Sequence, residues 1–551
     1  MVTVTNVTFG VIFYYCIPFC ILAAAFMVLL VLIGKEKFFA YIGKIPVLQI
    51  ACKWGNEIFM MLLFIAICIS IYFRAYVKGV YISSDSAGYL REAVNLVNGY
   101  GFNYDGMAGM NSWFANWPIL YPAMIALIMV ATGTDAYLAS KILSMFIVGL
   151  ILLTLYLCFR KDAWIYSLCL TNIGFLSLTY YTWSEVPFIL FLLIFSLLFA
   201  KIIVENEIAP KWYVLLGISG LCCFLVRYYG IYVWIVAGVY WLLMVFRYKK
   251  SHNKMLFGKI IGLAVSAFLS GVLSMGYLLL NKLMNGMASG VSRTLWWDDY
   301  EKLTNDLIQS LLTEIFNIFS LQIPQLIDGY PFRRKVLFLV VVLIGLIWFV
   351  RKNCKSFTKE SVFLTMAVAY YVIFIGIRYV SSMDTFYFRF FEPATFLASI
   401  GMIGLLLPYL KGKKAFRYFA GAVTAVIMIS TISVVENSDR GGNDSYYRSL
   451  TQSWDTAYAE IPERSVVIFS DIDFRSSYYR PDVVDGMIYP ENSYEELKGI
   501  YYGSDYLCIR REFAETMLAE GEYDQSVMGL LEEGLKGADE GSEYLVIGLN
   551  K

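Results

Sequence analysis

A single carboxylate, Asp85, stands a few residues beyond a long apolar run, inside a polar stretch that reads GVYISSDSAGYLREAVNLVNGYGFNYDGMAGMNSWFANWPILYP over residues 79–122. An acid placed there is a reactive group held at a membrane surface. The plainer reading is structural: Asp ahead of the heptad-like run Tyr89 to Val97 is a good helix N-cap, and the two roles are compatible. Three cations, Lys141, Arg227 and Arg389, also fall near the ends of apolar runs. The bland reading is that a cation at a helix end often only reaches out to water. Other chemistries have less support. His252 is the only histidine, which argues against a His-ligated metal and against a Ser-His pair. Most of the ten cysteines lie within apolar runs and read as small core residues rather than a disulfide framework.

These residues must be positioned by a membrane protein. Of 551 residues 59% are hydrophobic, and uninterrupted runs long enough to cross a bilayer recur through most of the chain, which points to helices rather than a β-barrel. About twelve spans are expected, at residues 10–33, 57–77, 137–159, 164–181, 186–204, 211–227, 229–247, 256–281, 336–350, 361–380, 392–410 and 414–434. Basic loops, above all residues 247–254, mark the cytoplasmic side. Residues 119–130 are too short to cross and read as a helix along the outer interface; counted as a span, they would turn every later basic loop outward. On this count Asp85, Lys141, Glu185, Arg227 and Arg389 all face the extracytoplasmic side, where positive charge runs against the orientation rule. A long external loop, residues 282–334, carries Trp296, Trp297, Asp298 and Asp299, an acidic pair that solvation explains well enough.

Charge divides the chain. From Glu436 onward there are 10 Lys and Arg against 24 Asp and Glu, while the remainder holds 34 against 19. We therefore expect a membrane domain, residues 1–435, whose first extracytoplasmic loop is 79–135, and an extracytoplasmic soluble α/β domain, residues 436–551. The latter should have strands near 465–470, 506–509 and 544–549 and helices near 493–502 and 511–520. No glycine-rich fingerprint follows a strand, so no nucleotide cofactor is expected. The basic residues sit in short loops between apolar runs, as orientation in a membrane requires, and do not suggest nucleic acid as a partner.

Several short motifs recur in a telling order. Asp85-x-x-x-Tyr89 is followed by Gly99-Tyr100-Gly101-Phe102, then by Trp117-Pro118-x-x-Tyr121-Pro122 opening a short apolar helix. Later come Ser184-Glu185-Val186-Pro187-Phe188, then Leu225-Val226-Arg227-Tyr228-Tyr229-Gly230, then Arg389-Phe390-Phe391-Glu392-Pro393. Charge counting alone places all of them on one face. In this the chain resembles the GT-C type membrane glycosyltransferases, which include the protein O-mannosyltransferases and the aminoarabinose transferases that modify lipid A. The resemblance covers about residues 57–435 together with the habit of a C-terminal external domain.

The resemblance implies a GT-C-like polytopic fold and a sugar donor carried on a polyprenyl phosphate, with the donor phosphate at headgroup level and its tail in the membrane lipid. It implies transfer to an extracytoplasmic acceptor (protein, glycolipid or wall polymer) by a single displacement with inversion, with Asp85 matching the catalytic general base. Lys141, Arg227 and Arg389 would steady the departing phosphate. Glu185 would orient an Arg or the acceptor, and Tyr89, Trp117 and Tyr121 would bind substrate, although anchoring at the membrane interface accounts for aromatic residues nearly as well. A divalent metal serves some such enzymes and has no ligand cluster to support it here, so none is expected. The rival reading is a transporter or flippase of lipid-linked sugars, which should bury ionisable residues mid-span and show broken helices in repeated halves.

Overall fold

The computed structural model describes residues 46–103 apart from 73, 76–80 and 82; 113–289; 300–318; 331–410 apart from 356 and 382–385; and, nearer the C-terminus, short stretches between 457 and 486 together with 493–499, 504–539 and 541–549. The expected spans at 10–33 and 414–434 and the segment 296–299 lie outside the described residues.

The helices, in chain order, are α1 (Pro46–Tyr72), α2 (Ser84–Val97), α3 (Leu120–Thr132), α4 (Ala136–Phe159), α5 (Ile173–Tyr180), α6 (Glu185–Val204), α7 (Pro210–Val226), α8 (Tyr232–Ser251), α9 (Lys254–Asn285), α10 (Tyr300–Asn317), α11 (Phe332–Asn353), α12 (Lys359–Val380) and α13 (Phe388–Leu410). Their starts follow from local sequence. Asp135 caps α4 by accepting from the Leu138 amide, Asn253 caps α9, Pro210 opens α7, and Thr358 with Ser361 forms a reciprocal capping box on α12.

Among the described residues, eight helices are long and apolar enough to cross a bilayer, and α3 and α7 are shorter apolar helices. At 1.5 Å per residue the 13 residues of α3 reach about 20 Å, short of the ~30 Å hydrocarbon layer, and Gly133 ends it in a left-handed turn. The span expected at 164–181 is not one regular helix. Asn172 adopts an extended conformation and its side chain caps α5 through the Gly174 amide, so the chain passes through short helical turns before α5 begins. It still runs from one end of α1 to the other: Asn56 holds the Arg160 carbonyl and the Trp164 amide, and Ser70 meets the Tyr180 hydroxyl at 2.8 Å.

The core gathers around α6 and α13, the most enclosed of the long helices, while most of α11 faces outward. Phe188 and Phe195 of α6 are fully buried, with α4, α7, α12 and α13 packed around that helix. Near the C-terminus, β1 (Val466–Phe469), β2 (Val484–Gly486), β3 (Tyr506–Arg510) and β4 (Tyr544–Gly548) form one sheet in the order β2-β1-β3-β4. β1 runs parallel to both β2 and β3, and β4 closes the edge antiparallel to β3. Helices α14 (Tyr494–Gly499), α15 (Arg511–Glu520) and α16 (Gln525–Gly537) accompany it, with Met517, Val527 and Leu531 packed against Leu507 and Leu545. The short strand β2 and the helix α16 were not expected from the sequence pattern. Cys508 is buried within the sheet.

Candidate active site

Asp85 enters the site from the first turn of α2. Ser83, one residue ahead of the helix, is the N-cap and accepts from the Ser86 amide, so the capping role belongs to Ser83 and the Asp85 carboxylate is left for another partner. That partner is Arg389, whose Nη2 pairs with Asp85 Oδ2. One turn along, Tyr89 faces the same way. Between them Gly88 lies so close to Trp117 that a Cβ there would sit 2.1 Å from Cζ3 of the indole.

The second acid, Glu185, opens α6. Its Oε1 receives both Nη1 of Arg227 and, at 2.5 Å, Nε of Arg389. Arg227 caps α7 in an extended conformation, and the turn behind it exists because Gly230 packs onto the last turn of α7. A Cβ at Gly230 would lie 2.3 Å from the carbonyl of Cys223, and its amide donates to the Arg227 carbonyl at 2.7 Å. Arg389 sits in the first turn of α13. Pro393 deprives the Arg389 carbonyl of its helical donor. Three residues after Arg389, Glu392 accepts from Asn172 through both oxygens, at 2.9 and 3.1 Å, tying α13 to the cap of α5.

The result is a cluster of two carboxylates and two guanidiniums drawn from α2, α6, the turn after α7 and the start of α13. Its side chains are unequally exposed, Glu185 at 1%, Arg389 at 7%, Arg227 at 16% and Asp85 at 26%, so Asp85 is the member open to a ligand. Around it, Tyr89 donates to Ser184 Oγ at 2.9 Å and Arg227 to the same oxygen at 3.2 Å. The Arg389 guanidinium lies 4.3 Å from the centre of the Trp183 ring, whose indole N–H donates to Ser83. Burial, with the nearby Asp85 charge next, pushes the Tyr89 phenol well above its usual range, so it remains a hydroxyl donor. Removing one partner of such a buried network leaves an uncompensated charge, worth roughly 3–5 kcal/mol.

Of the residues singled out from sequence, Asp85, Glu185, Arg227 and Arg389 are brought into direct contact. Tyr89 and Tyr121 are interior residues that meet edge to face, with centroids 4.9 Å apart, and the half-buried Trp117 packs against Tyr89 at 5.1 Å. Lys141 is not part of the cluster. It is buried in α4, donates to the Tyr180 carbonyl at 2.5 Å and to Thr182, and lies over the Tyr137 ring, so it holds the segment leading to Ser184 from behind. It neither joins the arginines nor reaches for water.

Sequence reasoning missed Ser83, Trp183 and Ser184 as organisers of the site. Ser184 was part of a recognised motif, and a serine directly before an acid at a helix start was the available signal. The contact of Trp183 with Arg389 joins residues far apart in the chain and had no sequence signal. Asp85 and Glu185, the acids that would ligate a divalent ion, are committed to guanidiniums, and among the described residues no three His, Cys, Asp or Glu side chains gather as ligands.

No protein-family model and no curated protein sequence matches this chain. Solved structures do. ArnT from Cupriavidus metallidurans in the apo state aligns with a TM-score of 0.56 at 10% identity, over 91% of this chain and 98% of that one. ArnT of the same organism bound to undecaprenyl phosphate aligns with a TM-score of 0.54 at 11% identity, over 89% of this chain and 98% of that one. The chain has the GT-C fold.

Proposed function

We propose that this chain is an integral membrane glycosyltransferase that moves a sugar from a polyprenyl-phosphate donor to an acceptor on the extracytoplasmic side. The observation that carries the reading is the pairing of Asp85 with Arg389, itself joined through Glu185 to Arg227. An acid beside two guanidiniums, one partner open and the others enclosed, suits proton removal next to an anionic leaving group. The ArnT structure with undecaprenyl phosphate bound supports the lipid class. The charge rule supports the side: the basic residues Lys249 and Lys250 end α8, whose first turn follows the turn that carries Arg227.

In the proposed step the acceptor hydroxyl oxygen attacks the anomeric carbon, its proton passes to Asp85, and the bond from that carbon to the phosphate oxygen breaks with inversion. The electron pair leaves on the polyprenyl phosphate, whose growing charge Arg227 and Arg389 stabilise. To reach Arg389 the phosphate must displace part of its hold on Asp85, which frees the base as the donor arrives. The cationic groups being arginines, no metal is needed for the step as drawn. Lys141 acts in this scheme by fixing residues 180–184 rather than by touching phosphate, and Trp117 is the aromatic residue with surface left for substrate.

The test is a reconstituted assay with undecaprenyl-phosphate-linked sugars and a panel of protein, glycolipid and wall-polymer acceptors. Release of undecaprenyl phosphate with acceptor glycosylation supports the proposal; movement of intact donor across the vesicle membrane without release replaces it with transport.

A further inference from the structure

α7 and α9 meet along small residues. A Cβ at Gly262 would come within 2.5 Å of the Tyr213 ring, one at Gly217 would lie 3.6 Å from the Ser266 carbonyl, and Ser266 Oγ donates to the Tyr213 carbonyl at 2.8 Å. From the first of these contacts to the second, both helices advance by the same one turn, so they run parallel and begin at the same end. Counting back one turn from Tyr213 and Gly262 sets Lys259 level with Pro210, the first residue of α7. Beside this seam a cavity of about 780 Å³ opens between the two helices, a volume typical of a small-molecule site.

The cavity has an apolar arm and one charged end. Val214 and Ile218 of α7 and Val265, Leu269 and Leu273 of α9 line the arm and are all exposed. On α7 the lining runs from Pro210 to Leu221, about 16 Å at 1.5 Å per residue and close to half of the ~30 Å hydrocarbon layer. Lys259 and Glu207 line the charged end. Lys259 is 9% exposed and gives one of its three N–H groups to the Ile203 carbonyl at 3.2 Å, while Glu207 is exposed. Both helices start at this end with no acid in their first turns, so their N-termini add positive potential beside Lys259. Arg227 stands at the other end of α7, roughly 25 Å along its axis.

We propose that this groove binds one glycerophospholipid with an ethanolamine head, drawn from the leaflet opposite Arg227. An acyl chain fills the apolar arm, the phosphate meets Lys259 and the two helix starts, and the head-group ammonium meets Glu207. The complementarity is one of charge: a cation and an acid at one end of an apolar groove match a ligand that carries a phosphate and an ammonium at one end of a hydrocarbon chain. A choline head keeps the phosphate but has no N–H to donate, and a glycerol head has no cation. The site is separate from the one proposed for the sugar donor, whose phosphate rests at the far end of α7, and it does not depend on that reading.

The experiment adds dioleoyl phosphatidylethanolamine, phosphatidylcholine or phosphatidylglycerol to the purified, delipidated full-length protein and reads bound lipid by native mass spectrometry, with thermal stabilisation alongside. Wild type should hold one phosphatidylethanolamine about tenfold or more tighter than the other two, the worth of one hydrogen bond between charged groups. Glu207→Gln, a change at an exposed position, should keep phospholipid binding and lose the preference for ethanolamine over choline. Lys259→Met should weaken all three lipids, and Val265→Trp, which puts bulk into the arm from a half-exposed position, should do the same without lowering the melting temperature of the lipid-free protein. Should Lys259→Met fail to fold, Glu207→Gln and Val265→Trp decide. Equal binding of the three lipids by wild type overturns the proposal, since the groove would then take any neighbouring lipid. An ethanolamine preference that survives Glu207→Gln, or binding that survives Val265→Trp, places the lipid elsewhere and overturns it too. Displacement of the bound phospholipid by one equivalent of undecaprenyl phosphate would make the groove a seat for the donor's tail and would likewise overturn it.

Discussion

The guanidinium of Arg389 is ion-paired with the carboxylate of Asp85 across 304 positions of sequence. One residue comes from the first turn of an amphipathic helix, the other from the start of an enclosed span. Their meeting turns a loop acid and a helix-end cation into one chemical unit.

Asp85→Asn keeps the shape of that unit and removes the base. Turnover should fall by roughly 10²- to 10⁴-fold while undecaprenyl phosphate still binds. Steady-state kinetics beside lipid binding decide it, and near-normal turnover would exclude Asp85 as the base.

Arg389→Lys keeps the charge but not the fork. An ammonium is a point charge and cannot reproduce the geometry by which Nε and Nη2 reach two acids. Loss of a hydrogen bond to a charged group is worth roughly 1.5–3 kcal/mol, so turnover should drop on the order of ten- to hundredfold. Full activity in this variant would mean that bulk positive charge suffices.

Glycine substitutions separate positioning from chemistry. Gly230→Ala drives a Cβ into the Cys223 backbone, which cannot yield, and should cost about 1–3 kcal/mol and most of the activity. Gly88→Ala meets the Trp117 side chain, which can shift, and should cost less. Gly238→Ala, with nothing within 4 Å, is the control and should be close to neutral. Thermal unfolding of the three variants would expose an error in this ranking.

Lys141→Met should lower thermal stability, by about 1–3 kcal/mol, because the Tyr180 carbonyl loses its buried donor. Affinity for undecaprenyl phosphate should change less than in Arg227→Ala. The opposite pattern, normal stability with lost lipid affinity, would make Lys141 a phosphate ligand.

Glu314 gives a pH signature outside the site. Desolvation pushes its carboxyl up to about 7, against hydrogen bonds from Thr395 and Asn317 that act the other way. A folded value above the unfolded one near 4.5 means that the folded state holds the proton more tightly, so this group's contribution is fully present below about 4.5 and is lost as pH rises to about 7. Relative to wild type, Glu314→Gln should therefore gain stability as pH rises from 5 to 7.5. Unfolding profiles of the two proteins that stay parallel over this interval would refute it.

The sequence by itself determined the class of molecule: long apolar runs leave membrane-spanning helices as the way to satisfy the backbone, and basic loops imply an orientation. It also brought Asp85, Glu185, Arg227 and Arg389 into view, since charge at the ends of apolar segments is costly enough to stand out. What pattern could not decide was contact. That Ser83 rather than Asp85 caps α2, that Asn172 breaks the run at 164–181 and that Lys141 turns inward all depend on which helices lie side by side. Periodicity fixes which face of a helix a residue occupies; only packing between segments far apart in the chain decides what that face meets.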